Sequence, residues 1–366
     1  MKKQKLVLLG LSGGVDSAVA ALRLKQQGYR VIGAFMKNFS EFKNKITNEC
    51  NWVEEKRMAQ KMAAHLQIPL MVLDFEKAYT SQIIKPMIRA YAAGRTPNSD
   101  VWCNTTIKFP LLWRKAQKIG ADYIATGHYA HIKKTSKGYE LLAGKDKTKD
   151  QSYFLSELAQ KDLAHALFPL GSLTKDKVRQ IAHKNHFPNA DKPSTRGVCF
   201  VGKVSIKKFL KKYLSFKTGQ VVNPEGDIIG THDGSQLYTI GERVGPRIGV
   251  NLNNKVASTK WYVAAKNTKK NIIIVAPENH PLLKRKEFLI RKMHFINQSK
   301  NSSSSLKVRI RHLGPLMSCT IHKKGSRLIC RLKKPAAGVA DGQYAVFYDK
   351  KRVAASGEIR SRPKSL

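Results

Sequence analysis

A short segment near the amino terminus has the residue types of a phosphate-binding loop. Residues 12–17 read SGGVDS and lie between an apolar run and a segment of helical periodicity. Two glycines permit a tight turn that points backbone N–H groups at an anion, and the start of a helix adds the positive end of its dipole. The loop lacks the GK[ST] ending of a Walker motif and is not GxGxxG. We therefore expect another kind of nucleotide-phosphate site; the alternative is a structural turn capped by Asp16 or Ser17.

The cysteines are the other residues with chemical potential. They are odd in number, widely spaced and without a CxxC pair or a Cys/His cluster at zinc-ligand spacing; they are Cys50, Cys103, Cys199, Cys319 and Cys330. This pattern argues against a disulfide framework and against structural zinc, and it favours a reducing compartment. A single intracellular cysteine is most often a small buried apolar side chain, so spacing alone selects none of them as reactive.

The amino-terminal third of the chain alternates strand and helix signals. The predicted strands are 6–11, 30–36, 70–75 and 122–126, and the predicted helices are 17–27, 52–67 and 81–93. Such alternation is typical of a doubly wound parallel sheet, whose ligands bind at the carboxyl ends of the strands. The glycine-rich loop follows the first strand, so this architecture places it at the ligand-binding edge.

The remainder of the chain changes from helical to β-rich patterning. The predicted helices here are 152–167, 175–184 and 206–213. From Lys284 onward, alternating segments such as 306–311 and 344–348 predict a small all-β domain, with the serine-rich run 301–305 as a loop. The apolar run at 6–11 is too short for a signal peptide, and no run approaches ~18 apolar residues. We expect no membrane-spanning segment.

The charge of the chain is strongly positive. Its 366 residues include 67 Lys plus Arg against 25 Asp plus Glu, a formal net charge of +42. The length allows two or three domains, and the surplus of cations favours a polyanionic partner such as nucleic acid. Cations are dense near the carboxyl terminus, where a β-barrel could hold an RNA backbone with Arg309, Arg311, Lys323, Lys324, Arg327 and Arg331. The alternative is a solvated basic face.

Several motifs together resemble one family. The SGGVDS loop is similar to the PP-loop of the ATP pyrophosphatase superfamily, and the other motifs follow the order and spacing of the tRNA-specific 2-thiouridylases. Those motifs are FMKN at 35–38, GRTPNSD at 94–100, CN at 103–104, IKF at 107–109, ATGHY at 125–129, KDQSYFL at 149–155, GVCFVG at 197–202, YTIG at 238–241, WYV at 261–263 and GQYAVFY at 342–348. The resemblance covers essentially the whole chain.

The resemblance implies an α/β fold and an activity. We expect a doubly wound PP-loop domain over residues 1–205, a small central domain over 206–280 and a basic, tRNA-binding β-barrel over 281–366. The implied activity is ATP-dependent 2-thiolation of the wobble uridine, position 34, of tRNA. ATP adenylates the C2 oxygen, and sulfur then arrives from a cysteine persulfide. The target base must leave its stack to be reached.

The resemblance also assigns roles to individual residues. Cys199 carries the persulfide, Cys103 is the nucleophile that releases the sulfur or closes a transient disulfide with Cys199, and Asp100 is an acid/base or base-positioning carboxylate. The implied ATP contacts are Gly10, Leu11, Ser12, Gly13, Gly14, Val15, Asp16, Ser17, Met36 and Gly127. The implied tRNA contacts are Asn98, Ser99, Asp100, His128, Lys149, Asp150, Gln151, Arg311, His312 and Gln343.

Local sequence adds an expectation for the two cysteines. Cys103 precedes Asn104 in a stretch that can open a helix, and a thiol at a helix amino terminus has a lowered pKa. Cys199 lies in a glycine-flanked segment between Arg196 and Lys203, two cations that would stabilise a thiolate. No role is expected for the other three cysteines.

The implied partners are ATP with Mg²⁺, the anticodon stem-loop of tRNA, and a cysteine desulfurase or sulfur-relay protein as sulfur donor. No resident metal site is expected, and the implied setting is a monomer in the cytoplasm. Two alternatives stay open at this point. One is another PP-loop adenylating enzyme, either a different tRNA thiolase or an amide synthetase, and the other is a catalytically inactive RNA-binding relative.

Overall fold

A five-stranded parallel sheet forms the amino-terminal part of the computed structural model, which describes residues 4–41, 50–193, 205–253, 258–297 and 306–360. Its strand order is β3-β2-β1-β4-β7, and every neighbouring pair is parallel. The strands are β1 (Leu6–Gly10), β2 (Arg30–Lys37), β3 (Leu70–Asp74), β4 (Tyr123–Ala125) and β7 (Ala166–Leu167). The prediction of a doubly wound parallel sheet is confirmed.

The central strand β1 shows why this sheet forms. All five of its residues are buried, as expected for a parallel strand covered on both faces. Because side chains alternate along a strand, Leu6 and Leu8 join one apolar cluster while Val7 and Leu9 join the cluster on the other face. The continuous apolar run in the sequence is therefore the signature of two cores rather than one.

Helices cover both faces of the sheet. Their bounds are α1 (Val15–Gln26), α2 (Asn51–His65), α3 (Glu76–Tyr79), α4 (Lys85–Ala92), α5 (Ser99–Trp102), α6 (Phe109–Lys118), α7 (Gln160–Ala164) and α8 (Lys175–Lys184). A π-helical segment, Thr80–Ile84, joins α3 to α4, and another, Cys103–Lys108, joins α5 to α6. Residues 99–118 are thus one continuous helical stretch with a widened turn in its middle.

The predicted helix over 152–167 is wrong. That stretch contains a 3₁₀ turn at Ser152–Leu155, the short helix α7 and the edge strand β7. Tertiary contacts override the local periodicity: the Tyr153 hydroxyl donates to the Tyr344 carbonyl at 2.9 Å, which ties the 3₁₀ turn to the carboxyl-terminal domain.

A hairpin that the sequence pattern did not predict lies between β4 and the 3₁₀ turn. It consists of β5 (Ala130–Thr135) and β6 (Gly138–Ala143). Leu142 of this hairpin pairs with Arg352 in the carboxyl-terminal sheet. The amino-terminal part of the chain therefore contributes two strands to a sheet built mainly from the other end of the chain.

The central domain follows the helix α9 (Ile206–Leu210), which is shorter than the predicted 206–213. It is a five-stranded sheet of order β10-β9-β8-β12-β11. The strands are β8 (Gly219–Val222), β9 (Ile228–His232), β10 (Val250–Leu252), β11 (Trp261–Asn267) and β12 (Ile272–Pro277). Its apolar side chains, such as Val221, Val263 and Ile273, belong to the same cluster as one face of the parallel sheet.

The carboxyl-terminal domain is all-β, as the alternating pattern predicted, and it forms a closed barrel, as the family resemblance implied. Its strands are β13 (Lys284–Phe295), β14 (Lys307–Arg309), β15 (Met317–Lys324), β16 (Arg327–Ala337), β17 (Tyr344–Asp349) and β18 (Arg352–Arg360). Pairing of β13 with both β16 and β18 closes the ring, which leaves no free edge between them. A separate apolar cluster that includes Phe288, Val308 and Phe347 fills the interior. In the described part of the chain, no helix has the length and apolarity needed to cross a membrane.

Candidate active site

The glycine-rich loop links β1 to α1 at the carboxyl edge of the parallel sheet. Gly13 has φ +75°, and a Cβ there would lie 2.6 Å from the Glu55 carbonyl oxygen of α2. Only glycine combines this left-handed backbone with so close an approach. The packing of α2 therefore fixes the loop against the sheet.

Hydrogen bonds inside the glycine-rich loop fix its conformation at the start of α1. The Ser17 hydroxyl donates to the Gly14 carbonyl at 2.9 Å and accepts from the Ser12 N–H at 3.2 Å. Asn189 donates to the Gly13 carbonyl at 3.0 Å from the far side. No side chain caps α1 at Gly14. The N–H groups of the first turn are thus positioned to bind an anion.

Asp16 is held by two groups that sequence reasoning missed. Its Oδ1 accepts from the Tyr129 hydroxyl at 2.7 Å and from the Lys175 ammonium at 2.6 Å. The Lys175 side chain is only 9% exposed, so it places a buried positive charge beside the phosphate loop. No spacing signal could have found this pair because Lys175 is 159 residues away in the chain.

Residues from three neighbouring strands meet at the loop. Met36 lies at the carboxyl end of β2. A Cβ on Gly10 would lie 3.3 Å from Cε of Met36. Gly127 follows β4, and a Cβ there would lie 2.9 Å from the backbone of Asp16 and Ser17. The structure therefore brings together Gly10, Met36 and Gly127, the residues expected to contact the nucleotide.

The segment expected to act on the base is helical. Asn98 caps it, since its side-chain oxygen accepts from the Val101 N–H at 3.1 Å. Asp100 lies in the first turn, and Cys103 follows three residues later, where side chains share one helix face. Cys103 is buried, at 5% exposure. The expectation that Cys103 precedes a helix is wrong, because α5 already begins at Ser99.

The electrostatics of this segment centre on Lys108. Burial raises the pKa of Asp100, while the positive charge of Lys108 acts in the opposite direction. Burial also holds the pKa of His128 well below its usual value, and Lys108 lowers it further. The Lys108 ammonium is thus close enough to influence both groups. Lys108 lies in the IKF motif at 107–109, but the sequence predicts no role for it.

His128 lies in an aromatic environment. It is buried, hydrogen-bonded through Nδ1 to the Thr126 hydroxyl at 2.7 Å, and stacked on Phe109 with ring centroids 6.1 Å apart. With its low pKa it is neutral at physiological pH. Its predicted contact with tRNA would require the RNA to reach this buried ring.

The barrel contributes a side chain to the same helical segment. Gln343 donates from Nε2 to the Thr96 carbonyl at 2.9 Å, and its Oε1 accepts from the Asn98 amide at 3.3 Å. Trp102 donates to the Tyr344 hydroxyl at 3.2 Å. Two of the residues expected to contact tRNA, Asn98 and Gln343, therefore touch although 245 residues separate them.

The three residues at 149–151 that were expected to contact tRNA differ in burial. The Asp150 side chain is only 1% exposed and pairs with Arg309 at 2.6 Å. Gln151 accepts from the Tyr129 N–H at 3.0 Å, whereas Lys149 is half-buried. Arg309, which was expected to line an RNA-binding barrel, is engaged in this ion pair and only 11% exposed.

The two residues at 311–312 that were expected to contact tRNA also differ in burial. Arg311 is exposed. His312 packs on Phe154 with centroids 4.2 Å apart, and burial lowers its pKa to about 4. Ser99 is buried at the start of α5.

Cys199 and its predicted pairing with Cys103 lie outside the described residues, because residues 194–204 are among those that the structure does not describe. The helical segment that carries Cys103 can still be related to the loop: Gly127 contacts Asp16, His128 stacks on Phe109, and Phe109 begins α6. Among the described ranges, no group of three or more His, Cys, Asp or Glu side chains could hold a metal ion.

Comparison with known proteins matches the whole chain in three consecutive parts. A family model described as "tRNA methyl transferase HUP domain" matches residues 5–203. One described as "tRNA methyl transferase PRC-barrel domain" matches residues 207–277, and an "Aminomethyltransferase beta-barrel domain" matches residues 285–359.

Curated relatives are similar over nearly their full length. A tRNA-specific 2-thiouridylase of Geobacillus kaustophilus is 42% identical over 354 residues, which is 95% of this chain and 93% of that protein. One from Coxiella burnetii is 40% identical over 95% of this chain and 93% of its own length. One from Blochmanniella floridana is 40% identical over 98% of this chain and 97% of its own length.

Proposed function

The chain belongs to the tRNA-specific 2-thiouridylase family, and from that premise we propose that it uses ATP to replace the C2 oxygen of the wobble uridine, position 34 of tRNA, by sulfur. The observation that carries this proposal is the contact between the anion-binding loop and the helical segment of Asp100 and Cys103, made through Gly127, which approaches Asp16, and His128, which stacks on Phe109. An adenylating site and a thiol beside a carboxylate are the two parts that the reaction needs.

The first step is adenylation of the uridine. The C2 oxygen is a poor leaving group and must be activated. It attacks the α-phosphorus of ATP, forms an O–P bond and displaces pyrophosphate, while the base loses its N3 proton. The N–H groups at the start of α1 and the buried Lys175 ammonium supply positive potential for the phosphates. Mg²⁺ accompanies ATP as its counter-ion.

The second step is sulfur transfer. The terminal sulfur of a persulfide on Cys199 attacks C2, and the bond from C2 to oxygen breaks with release of AMP. The Cys103 thiolate then attacks Sγ of Cys199, so that the sulfur stays on C2 and a Cys103–Cys199 disulfide forms. A thiol reductant must reopen this disulfide before the next turnover. A cysteine desulfurase or relay protein supplies the persulfide sulfur.

Asp100 and Asn98 are suited to hold the flipped base. Burial favours the protonated form of Asp100, since it raises the pKa of that carboxyl group. A protonated carboxyl can donate to the uracil ring, and a carboxylate can accept from its N3–H, so Asp100 can either transfer a proton or position the base. Asn98 and Gln343 lie at the contact between the helical segment and the barrel, where a bound anticodon loop would touch both domains.

We propose that the protein acts as a monomer in the cytoplasm.

Nucleoside mass spectrometry of position 34 tests the proposal. tRNA is incubated with the protein, ATP with Mg²⁺, cysteine and a cysteine desulfurase, beside a matched tRNA that has cytidine at position 34. The proposal predicts 2-thiouridine that requires ATP and the uridine. Thiolation elsewhere would indicate a different tRNA thiolase, and pyrophosphate release with a carboxylic acid and an amine instead of tRNA would indicate an amide synthetase. Binding of tRNA with no turnover would indicate an inactive relative.

A further inference from the structure

A cavity of about 180 Å³ lies where the three domains meet. The loop from Gly94 to Thr96 forms one wall, Lys266 of β11 forms another, and Arg285 of β13 with Asp341 completes the lining from the barrel. A Cβ on Gly94, whose φ is +72°, would lie 2.5 Å from the Thr268 side chain, so the loop and β11 are in close contact here. The reaction proposed above assigns no ligand to this cavity.

The cavity carries an excess of positive charge. Among the described residues that line it, Arg95, Lys266 and Arg285 are cationic and Asp341 is the one acidic side chain. The neighbouring carboxylates are shared: Glu358 lies within 3.7 Å of three different arginines, and Glu242 lies 3.3 Å from Lys207. The acidic groups nearby are therefore outnumbered by the cations around them.

The Lys266 ammonium is costly to keep charged in this cavity. Burial lowers the pKa of Lys266 to about 8 and also lowers the pKa of Arg285, although Asp341 acts in the opposite direction on both. The Lys266 ammonium donates to the Tyr238 carbonyl, and an ammonium carries three N–H donors, so it retains capacity for a ligand. An anion in the cavity would offset the desolvation of the Lys266 ammonium.

We propose that this junction cavity binds a phosphate group of the substrate RNA backbone, next to the nucleotide whose base is modified. This rests on the proposed function, because the wall residue Thr96 precedes Asn98 by two residues, a distance of at most about 7 Å along the chain. A phosphate held by Lys266, Arg285 and Arg95 would join the three domains and fix the loop that leads to Asp100. The ligand chemistry is that of a phosphate group, and free phosphate is the competing source.

Salt-dependent binding of tRNA tests the site without any turnover. Lys266→Gln removes a cation from the cavity, and Lys269→Gln removes one from the exposed turn between β11 and β12 as a matched control. A lost phosphate contact weakens tRNA binding about tenfold and reduces the slope of log K against log salt by about one. We expect both effects in Lys266→Gln, little change in Lys269→Gln and retention of binding in Lys266→Arg. Equal behaviour of Lys266→Gln and Lys269→Gln overturns the proposal.

A second measurement separates the two sources of phosphate and covers a misfolded variant. Thermal unfolding is followed in inorganic phosphate for the wild type, Lys266→Gln and Arg285→Gln. Stabilisation of the wild type alone, combined with a normal tRNA salt slope in both variants, assigns the cavity to free phosphate and overturns the RNA contact. If Lys266→Gln does not fold, Arg285→Gln is tested by the same salt slope. Failure of the wild type to bind tRNA would overturn the proposed function itself, whereas a difference between the variants concerns only the cavity.

Discussion

Asp100 lies three residues before Cys103 on one helical stretch, and the proposed chemistry depends on these two side chains. The spacing is visible in the sequence, but the burial that raises the pKa of Asp100 depends on elements far along the chain. Lys108 lies on the same helical stretch as Asp100, but the sequence alone does not show that its charge acts on both Asp100 and His128. The sequence therefore predicts which residues react but not the groups that tune their pKa values.

Replacement of Lys108 by Gln is predicted to move the pH dependence of turnover. Lys108 lowers the pKa of Asp100, so removing its positive charge raises that pKa, and the limb of the pH–rate profile that reports Asp100 shifts to higher pH. The measurement is single-turnover thiolation across the pH range, with Lys115→Gln, an exposed change on the neighbouring helix α6, as control. A shift to lower pH, or none, would contradict the assignment of Asp100.

His312 predicts a loss of stability in acid. Burial lowers its pKa from 6.5 to about 4, an effect that Asp150 opposes and that Arg309 and Lys149 reinforce. Between these two pH values the unfolded state binds a proton that the folded state does not, so stability falls as the pH decreases from 6.5 towards 4. His312→Phe keeps an aromatic ring on Phe154 and should flatten this fall in urea denaturation. An unchanged pH dependence would show that His312 does not contribute.

At the scale of elements, the turn at 149–152 is joined to β14 by the buried pair of Asp150 and Arg309. The carboxylate of Asp150 also accepts from the N–H groups of Gly144 and Ser152, both at 3.1 Å. This pair fixes the position of the neighbouring 3₁₀ turn, which carries Phe154. The barrel is thus attached to the PP-loop domain by a specific polar contact as well as by apolar packing.

Arg309→Met is predicted to destabilise the protein by roughly 3 kcal/mol, because it leaves the Asp150 carboxylate buried without its cation. The matched control is Arg331→Met, since Arg331 pairs with Glu287 on the surface, at 59% and 43% side-chain exposure. An exposed pair contributes at most about 1 kcal/mol. The measurement is chemical denaturation at neutral pH, and equal losses in the two variants would refute the distinction.

The loop after β4 is predicted to need glycine where it meets α1. Gly127→Ala places a methyl group 2.9 Å from the backbone of Asp16 and Ser17, which pushes the loop away from the start of the helix. We expect the KM for ATP to rise more than about tenfold, because a misplacement of about 1 Å is costly at a catalytic site. Gly245→Ala, where a Cβ meets nothing within 4 Å, is the control. Unaltered ATP kinetics in Gly127→Ala would contradict the site geometry.

The elements differ in how far the sequence could predict them. The parallel strands β1 to β4 and the helix α8 are signalled by apolar runs and by helical periodicity with clear ends, and the structure has them at nearly the expected bounds. The hairpin of β5 and β6 is mostly half-buried or exposed, so its alternation is weak. The stretch 152–167 has apolar periodicity, but its side chains are buried against several different partners. Pairs such as Asp16 with Lys175 follow from folding alone.

At the scale of the whole molecule, the three domains converge on the segment that leads to Asp100. Thr96 donates from its N–H to the Asp341 carbonyl at 2.8 Å in the barrel, and its hydroxyl lies 3.1 Å from that of Thr239 in the central domain. Docking of tRNA on either domain would therefore act directly on the catalytic segment. The net charge of +42 supplies a long-range attraction for such a polyanion.

We propose that one chain both adenylates the wobble uridine and delivers sulfur through Cys103 and Cys199. The most direct test measures pyrophosphate and 2-thiouridine in the same single-turnover reaction, for the wild type, Cys103→Ser, Cys199→Ser and Cys50→Ser. Cys50 is a matched control because it is a half-buried cysteine that donates to the Ser40 carbonyl and is assigned no role in the proposed reaction. The proposed mechanism predicts pyrophosphate in all four reactions and 2-thiouridine only with the wild type and Cys50→Ser. Thiolated uridine in Cys103→Ser or Cys199→Ser would contradict it.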